Sequence, residues 1–215
     1  MKRIIFCAQD PGGANAMVPV IQMAAKDGTT YYDVLAAKHA VKVFESNKIK
    51  RVIDCTQSNY GDLRRLCSKI NPHVVFMGTS EGYSIEKKVT RIAAKRGTKT
   101  VSIIDSWMNY AKRYSSAKNP TDLLYITQTI CVNDEFAKCG CVKDGIPSKI
   151  IQVTGNPHLA ESVKKIKFHD EKIGKFDLLF ISQPLSRGLI NQYSLVRELC
   201  EFPQKKKKKN ITVRP

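Results

Sequence analysis

The chain has 215 residues, of which 42% are hydrophobic, so it is long enough for one large domain with a core of its own. Its apolar runs are all shorter than the roughly 18 residues of a membrane span, and the short run before Asp10 does not fit a signal peptide. Seven scattered cysteines, an odd number, indicate reduced thiols and therefore a cytoplasmic protein.

Apolar strand-like runs alternate with amphipathic helical segments along the first three quarters of the chain. Strands are predicted at residues 3–8, 31–36, 51–55, 73–77, 100–104, 129–132 and 150–153. Helices are predicted at residues 14–26, 39–47, 60–70, 84–96 and around 134–139. Because each parallel strand pair needs a helical crossover, this order predicts a Rossmann-like, doubly wound α/β sheet.

The composition changes after Leu159, where a polar and charged stretch begins. Residues 1–160 are therefore predicted to form one domain and residues 161–175 a linker. A further strand is predicted at 176–182, a helix at 191–200, a run of five lysines at 205–209 and a strand at 211–213. These elements are too few to bury a core, so residues 176–215 are predicted to be the incomplete start of a second α/β domain.

A glycine-rich segment separates the first predicted strand from the first helix. Gly12 and Gly13 allow a close approach of the backbone to a ligand, and Asn15 follows at the start of the helix. The segment is neither a G-x-G-x-x-G fingerprint nor a Walker loop, so no cofactor of those classes is expected. It is predicted to bind substrate through the helix amino terminus; the alternative is a plain strand-to-helix turn.

A second cluster follows the fifth predicted strand. Asp105 is a candidate general base, and Trp107, Asn109, Tyr110 and Arg113 are candidate substrate-binding residues. A sugar or base ring is expected to stack on Trp107 while polar side chains hydrogen-bond to hydroxyls. The alternative is a loop whose aromatic residues pack onto the domain.

Two further strand ends carry candidate residues. Glu81 follows the fourth strand and is the second candidate for catalytic acid or base, unless it only caps the next helix. Asn156 and His158 follow the last strand of the domain and are candidate substrate ligands, with a rigid structural turn as the alternative. No metal site is expected, because Cys139 and Cys141 have no second pair at zinc-binding spacing.

The net charge of +17 favours an anionic partner such as a phosphorylated sugar, a nucleotide or an acidic lipid. The lysine run is a candidate for peripheral contact with an anionic membrane, although a solvated loop explains it equally well. Nucleic acid is not expected as a partner, because aromatic residues are not interleaved with the basic ones and no recognition motif occurs.

Four of these segments together resemble a known group of proteins. Residues 10–15 (DPGGAN), 78–80 (GTS), 105–110 (DSWMNY) and 153–157 (VTGNP) resemble, in order, the amino-terminal half of GT-B-like proteins of surface polysaccharide synthesis. The group includes nucleotide-sugar glycosyltransferases, UDP-N-acetylglucosamine 2-epimerases and CDP-glycerol glycerophosphotransferases. The resemblance implies two Rossmann-like domains across a cleft, the first taking the acceptor and the second most of the nucleotide-sugar.

The resemblance therefore implies a glycosyltransferase that uses a nucleotide-activated sugar and a carbohydrate or lipid-linked acceptor. A UDP-N-acetylglucosamine 2-epimerase-like enzyme and a non-catalytic basic domain at an anionic membrane surface are the alternatives. Because the chain ends at Pro215, where such proteins continue, we expect a truncated form that is weakly active or inactive alone. The oligomeric state is left open.

Overall fold

A computed structural model describes residues 2–165 of the chain. Seven strands form one parallel sheet in the order β3-β2-β1-β4-β5-β6-β7. The strands are β1 (Lys2–Ala8), β2 (Thr30–Ala36), β3 (Val52–Asp54), β4 (Val74–Met77), β5 (Lys99–Ile103), β6 (Thr129–Val132) and β7 (Ile151–Val153). Each lies where the sequence predicts a strand, within about two residues at either end.

Seven α-helices accompany these strands in the described residues. They are α1 (Pro11–Lys26), α2 (His39–Ser46), α3 (Tyr60–Ile70), α4 (Ile85–Arg96), α5 (Tyr110–Tyr114), α6 (Glu135–Lys143) and α7 (Pro157–Lys165). The sequence did not predict α5, which is five residues long and too short to show a helical period. It also placed the start of α1 three residues late.

The beginning of α1 corrects the sequence-based interpretation of the glycines. Asp10 is extended, with φ −91° and ψ 149°, and Pro11 is the first helical residue. Proline is favoured there because an N–H at this position would have no partner within the helix, so its absence costs nothing, and because the φ of proline is already helical. Gly12 and Gly13 therefore belong to the helix, and neither has a positive φ.

Both faces of the sheet are covered, which confirms the doubly wound, Rossmann-like fold. On one face α3 and α4 pack around Leu63 and Val89; on the other, α1 and α2 pack around Met17 and Phe44. A third cluster joins β6 to α5 and α6. Ser102 of β5 ties both α5 and the segment after it to the sheet, because its hydroxyl lies 2.8 Å from the Tyr114 hydroxyl and 2.7 Å from that of Thr127.

Of the linker predicted at 161–175, residues 161–165 belong to helix α7, and the rest lies outside the described residues, as does the predicted second domain at 176–215 with its lysine run. The domain boundaries therefore remain predictions. Between residues 2 and 165, no helix is both long and apolar enough to cross a membrane. The six cysteines of that part of the chain are free thiols, and its His, Cys, Asp and Glu side chains form no cluster of metal-site size.

Candidate functional site

The carboxyl ends of β1 and β4 form the topological switch point of the sheet. These strands are neighbours, and the chain continues from β1 toward β2 on one side and from β4 toward β5 on the other. The helices that follow them therefore leave on opposite faces, the arrangement that in open α/β sheets forms a crevice between the two loops. Ligands of open α/β sheets bind in such a crevice.

The backbones on the two sides of this crevice are in close contact at Gly13 and Gly78. A Cβ built on Gly13 would lie 3.0 Å from the Gly78 Cα, and one built on Gly78 would lie 3.2 Å from the Gly13 Cα. The neighbouring atoms belong to the backbone, which cannot move aside without disturbing the sheet or the helix. Glycine is therefore required here for close packing of the first turn of α1 against the loop after β4.

Gly12 makes room for the side chain of Asp105. A Cβ on Gly12 would lie only 1.7 Å from Asp105 Oδ2, so the carboxylate rests against the bare Cα of the first turn of α1. The sequence predicted that Gly12 and Asp105 both line the site, but not that they touch. A negative charge is favourable beside a helix amino terminus, because the unpaired amides there carry partial positive charge.

Arg113 joins the loop after β4 to the loop after β5. One terminal nitrogen donates to the Thr79 carbonyl oxygen (2.9 Å), to Thr79 Oγ1 (3.1 Å) and to Asp105 Oδ1 (3.2 Å). The other donates to Ser106 Oγ at 2.6 Å, and Nε donates to the Met108 carbonyl oxygen at 3.3 Å. The Arg113 side chain is only 11% exposed and that of Asp105 22%. We call Gly12, Thr79, Asp105 and Arg113 the switch-point cluster.

Glu81 lies beside this cluster in a second ion pair. Its carboxylate accepts a hydrogen bond from Asn109 Nδ2 at 2.5 Å and pairs with Lys112 Nζ at 3.0 Å. Partial burial raises the pKa of Glu81, but the hydrogen bonds and charges of Lys112 and Asn109 outweigh that effect, and the net pKa is lowered. Glu81 is thus held in its ionised form, which fits an electrostatic role better than that of a proton donor.

The remaining candidates on the loop after β5 face different surroundings. Trp107 is 44% exposed and donates its Nε1 hydrogen to Asp134 Oδ2 at 2.7 Å, which ties the loop after β5 to the start of α6. Tyr110 is buried against Gly140 of α6, away from the surface. Asn15, on α1, is half-buried, and its side chain makes no hydrogen bond to a residue between 2 and 165.

Asn156 and His158 are not brought to the switch-point cluster. They follow β7, the edge strand, which β5 and β6 separate from β4, a distance of about 14 Å at the usual strand spacing. Asn156 Oδ1 accepts hydrogen bonds from the His158 and Leu159 amides and so caps α7. His158 is exposed at the start of that helix. Contact of either residue with substrate remains a prediction.

One residue at the switch point escaped the sequence-based search. Glu86 is 3% exposed, and its Oε1 accepts hydrogen bonds from the Gln9 amide (2.9 Å) and from Ser80 Oγ (2.8 Å). Its Oε2 is buried without a partner in the described part of the chain, and burial raises the pKa of the carboxyl group. A signal was present: Glu86 is in helical phase with the apolar Val89 and Ala93, so it lies on the buried face of α4.

Comparisons by sequence and by structure give different answers for this chain. No protein-family model and no curated protein matches its sequence. Solved structures do match its fold. A UDP-GlcNAc 2-epimerase from Neisseria meningitidis bound to UDP-GlcNAc has a TM-score of 0.58 and 17% identity, over 76% of this chain and 50% of that one.

Two further structures give the same result. S. aureus MnaA in a structure with UDP has a TM-score of 0.59 and 15% identity, over 79% of this chain and 50% of that one. A UDP-GlcNAc 2-epimerase from Methanocaldococcus jannaschii has a TM-score of 0.56 and 17% identity, over 76% and 48%. The fold is that of a GT-B-like half. The chain spans about half the length of these proteins, and at this identity the likeness concerns the fold alone.

Proposed function

We propose that this chain supplies one wall of the active site of an enzyme that acts on a nucleotide-activated sugar in carbohydrate synthesis. The observation that carries the proposal is the switch-point cluster, which places the Asp105 carboxylate against the amino terminus of α1 and holds it there with Arg113. The crevice between β1 and β4 is where an open parallel sheet binds its ligand. The fold shared with UDP-GlcNAc 2-epimerases supports a nucleotide-sugar as that ligand.

Glycosyl transfer is the reaction that we propose first. An acceptor hydroxyl attacks the anomeric carbon, the bond from that carbon to the phosphate oxygen breaks, and the nucleoside diphosphate leaves. Asp105 takes the hydroxyl proton, for which its partly exposed carboxylate is suitably placed at the crevice. The ionised Glu81 beside it contributes charge, and Trp107 offers a ring on which a sugar stacks.

Epimerisation at C2 of a UDP-sugar is the second candidate. It is favoured by the names of the solved structures, one of them bound to UDP-GlcNAc and another solved with UDP. The two reactions differ in one requirement, since an epimerase needs no acceptor. Under either reaction the protein works in the cytoplasm; a peripheral membrane contact would depend on the lysine run, which lies outside the described residues.

Calorimetric titration of the 215-residue chain with UDP-GlcNAc, UDP and uridine tests the proposal. We expect weak binding of the two nucleotides, weakened at least about tenfold by Arg113→Gln, because a buried charged hydrogen-bond donor is lost. Asp105→Asn is expected to preserve binding while abolishing turnover. Lys95→Gln, an exposed change on α4 with the same loss of charge, is the control.

The products then separate the two reactions. Incubation with UDP-GlcNAc alone gives the C2 epimer if the enzyme is an epimerase, and release of UDP only when an acceptor is added if it is a transferase. If Arg113→Gln and Lys95→Gln bind the nucleotide equally well, the switch-point cluster is not the site and the proposal fails.

A further inference from the structure

A groove lies away from the switch-point cluster, between the start of α3, the outer side of α4 and the segment after α5. It has a volume of about 180 Å³. Its walls carry three tyrosines and three cations. We call it the tyrosine–cation groove, and its side chains are Tyr60, Tyr83, Lys87, Lys88, Arg91 and Tyr125. None of these side chains belongs to the switch-point cluster.

Each cation of the groove stands over a tyrosine ring. Lys88 Nζ lies 4.8 Å from the centroid of the Tyr83 ring, Lys87 Nζ lies 5.7 Å from that of Tyr125, and the Arg91 guanidinium lies 5.9 Å from that of Tyr60. Such cation–π pairs hold both partners in place without using the hydrogen-bond donors of the cation. The groove is therefore a preorganised surface on which aromatic faces and N–H donors alternate.

The positive charge of two of these cations is available to a ligand. Lys87 is buried and donates to the Ser115 carbonyl oxygen at 2.8 Å, so its charge is already used to stabilise the carboxyl end of α5. Among residues 2–165, the Lys88 ammonium group donates only to the Ser58 carbonyl oxygen (3.0 Å), and the Arg91 side chain donates to no residue. Within those same residues, no Asp or Glu forms a salt bridge with any of the three cations.

We propose that the tyrosine–cation groove binds a small phosphate ester of a sugar. The phosphate is bound by Lys88 and Arg91, which together match its charge and its acceptor oxygens. The sugar ring packs on the face of Tyr83, which is 77% exposed. The groove is smaller than the roughly 300–1,000 Å³ that encloses a drug-sized ligand, so it suits a sugar phosphate rather than a whole nucleotide-sugar.

Glucose 1-phosphate is the probe, and glucose and inorganic phosphate represent its two halves. The isotopically labelled chain is titrated with each and followed by the amide NMR signals of Gly82, Tyr83 and Ala117 beside the groove. The signals of Gly12 and Gly13 report on the switch-point cluster, so binding there is distinguished from binding in the groove. We expect glucose 1-phosphate to shift the groove signals at lower concentration than inorganic phosphate does, and glucose to shift none.

Five variants complete the test. Lys88→Gln and Arg91→Gln are expected to weaken binding of the probe by about tenfold each, because each removes a charged donor to the phosphate. Lys95→Gln, one turn further along the exposed side of α4, removes the same charge and is expected to change it less than about twofold. Tyr83→Ala is expected to weaken binding and Tyr83→Phe to preserve it.

Two results would overturn the inference. Equal loss of affinity in Arg91→Gln and Lys95→Gln would mean that the chain attracts anions only through its net charge. Shifts confined to Gly12 and Gly13 would place the probe at the switch-point cluster, which supports the proposed function and removes the groove as a site. All the altered side chains contact the groove or the solvent, so thermal unfolding is expected to confirm that each variant is folded.

Discussion

The two ends of the parallel sheet each carry an arginine–aspartate pair, but the pairs have different surroundings. At the amino end, Arg51 donates to Asp33 Oδ1 at 2.9 Å and stacks on Tyr31 at 4.0 Å, and its side chain is 41% exposed. At the carboxyl end, Arg113 is 11% exposed and binds groups from two different loops. The chemistry of the pair is the same, and its connections differ.

The difference follows from what each pair joins. Arg51 precedes β3 and Asp33 is in β2, so their pair adds one cross-link between strands that are already hydrogen-bonded. Arg113 instead joins the loops after β4 and β5, which no backbone ladder holds together. Burial of an ion pair is costly and contributes little net stability, so a buried pair among loops is better explained by positioning than by strength.

Loss of Arg113 is expected to have the largest effect. Arg113→Met removes the partner of Asp105 and of the Thr79 carbonyl oxygen and should lower the free energy of unfolding by about 3 kcal/mol. Arg51→Met should lower it by about 2 kcal/mol, because water reaches the 41% exposed guanidinium but Asp33, whose side chain is only 9% exposed, loses its partner. Urea unfolding of both variants measures the difference. Equal losses in the free energy of unfolding would mean that the two pairs contribute equally to stability, whatever they connect.

Gly12→Ala is expected to have the next largest effect. The new Cβ collides with Asp105 Oδ2 and forces that carboxylate away from Arg113, at a cost of about 2 kcal/mol. Gly28, just beyond the carboxyl terminus of the same helix and at the amino end of the sheet, has open space around it and a φ of +70°. Gly28→Ala should therefore cost only the backbone strain, about 1 kcal/mol.

A double-mutant cycle identifies the cause of the Gly12 effect. If the collision with Asp105 is responsible, Gly12→Ala should cost less in an Asp105→Ala background, with a coupling above about 0.5 kcal/mol. Additive losses would place the strain elsewhere in the first turn of α1. Urea unfolding of the two single variants and the double variant gives the coupling.

Most of the fold could be predicted from the sequence, because buried parallel strands form short apolar runs and their crossovers show helical periods. The exceptions have local reasons. Helix α5 (YAKRY) is too short to display a period, and two adjacent glycines suggested a turn where proline in fact starts a helix. Both errors lie at the carboxyl end of the sheet.

The candidate site was less predictable, since it depends on distant contacts. The sequence indicated that Asp105, Glu81 and the glycines share one edge, because parallel strands all end there. It did not show that Gly12 exists to accommodate Asp105, nor that Tyr110 is buried, since both depend on how the loops pack. Glu86 was hidden within a helix that appeared basic, although its phase marked it as buried.

Acidic groups at the two ends of the sheet are expected to respond to pH in opposite directions, and this is the smallest effect. Burial raises the pKa of Glu86 at the carboxyl end, whereas hydrogen bonds from Thr29 and Thr30 lower the pKa of Asp27 at the amino end. The contribution of Glu86 to stability is present below its unfolded pKa of about 4.3 and is lost as pH rises through the folded value.

The contribution of Asp27 is present above its unfolded pKa of about 3.9 and is lost as pH falls through the folded value. Urea unfolding between pH 3 and pH 8 should therefore show that the free energy of unfolding of Glu86→Gln increases relative to that of the native chain as pH rises above about 4.3. Asp27→Asn should instead become less stable than the native chain as pH rises toward about 3.9, with no further change above it. Parallel curves for Glu86→Gln and the native chain would mean that Glu86 titrates normally, and that the unpaired oxygen at the switch point is reached by water or by a partner group.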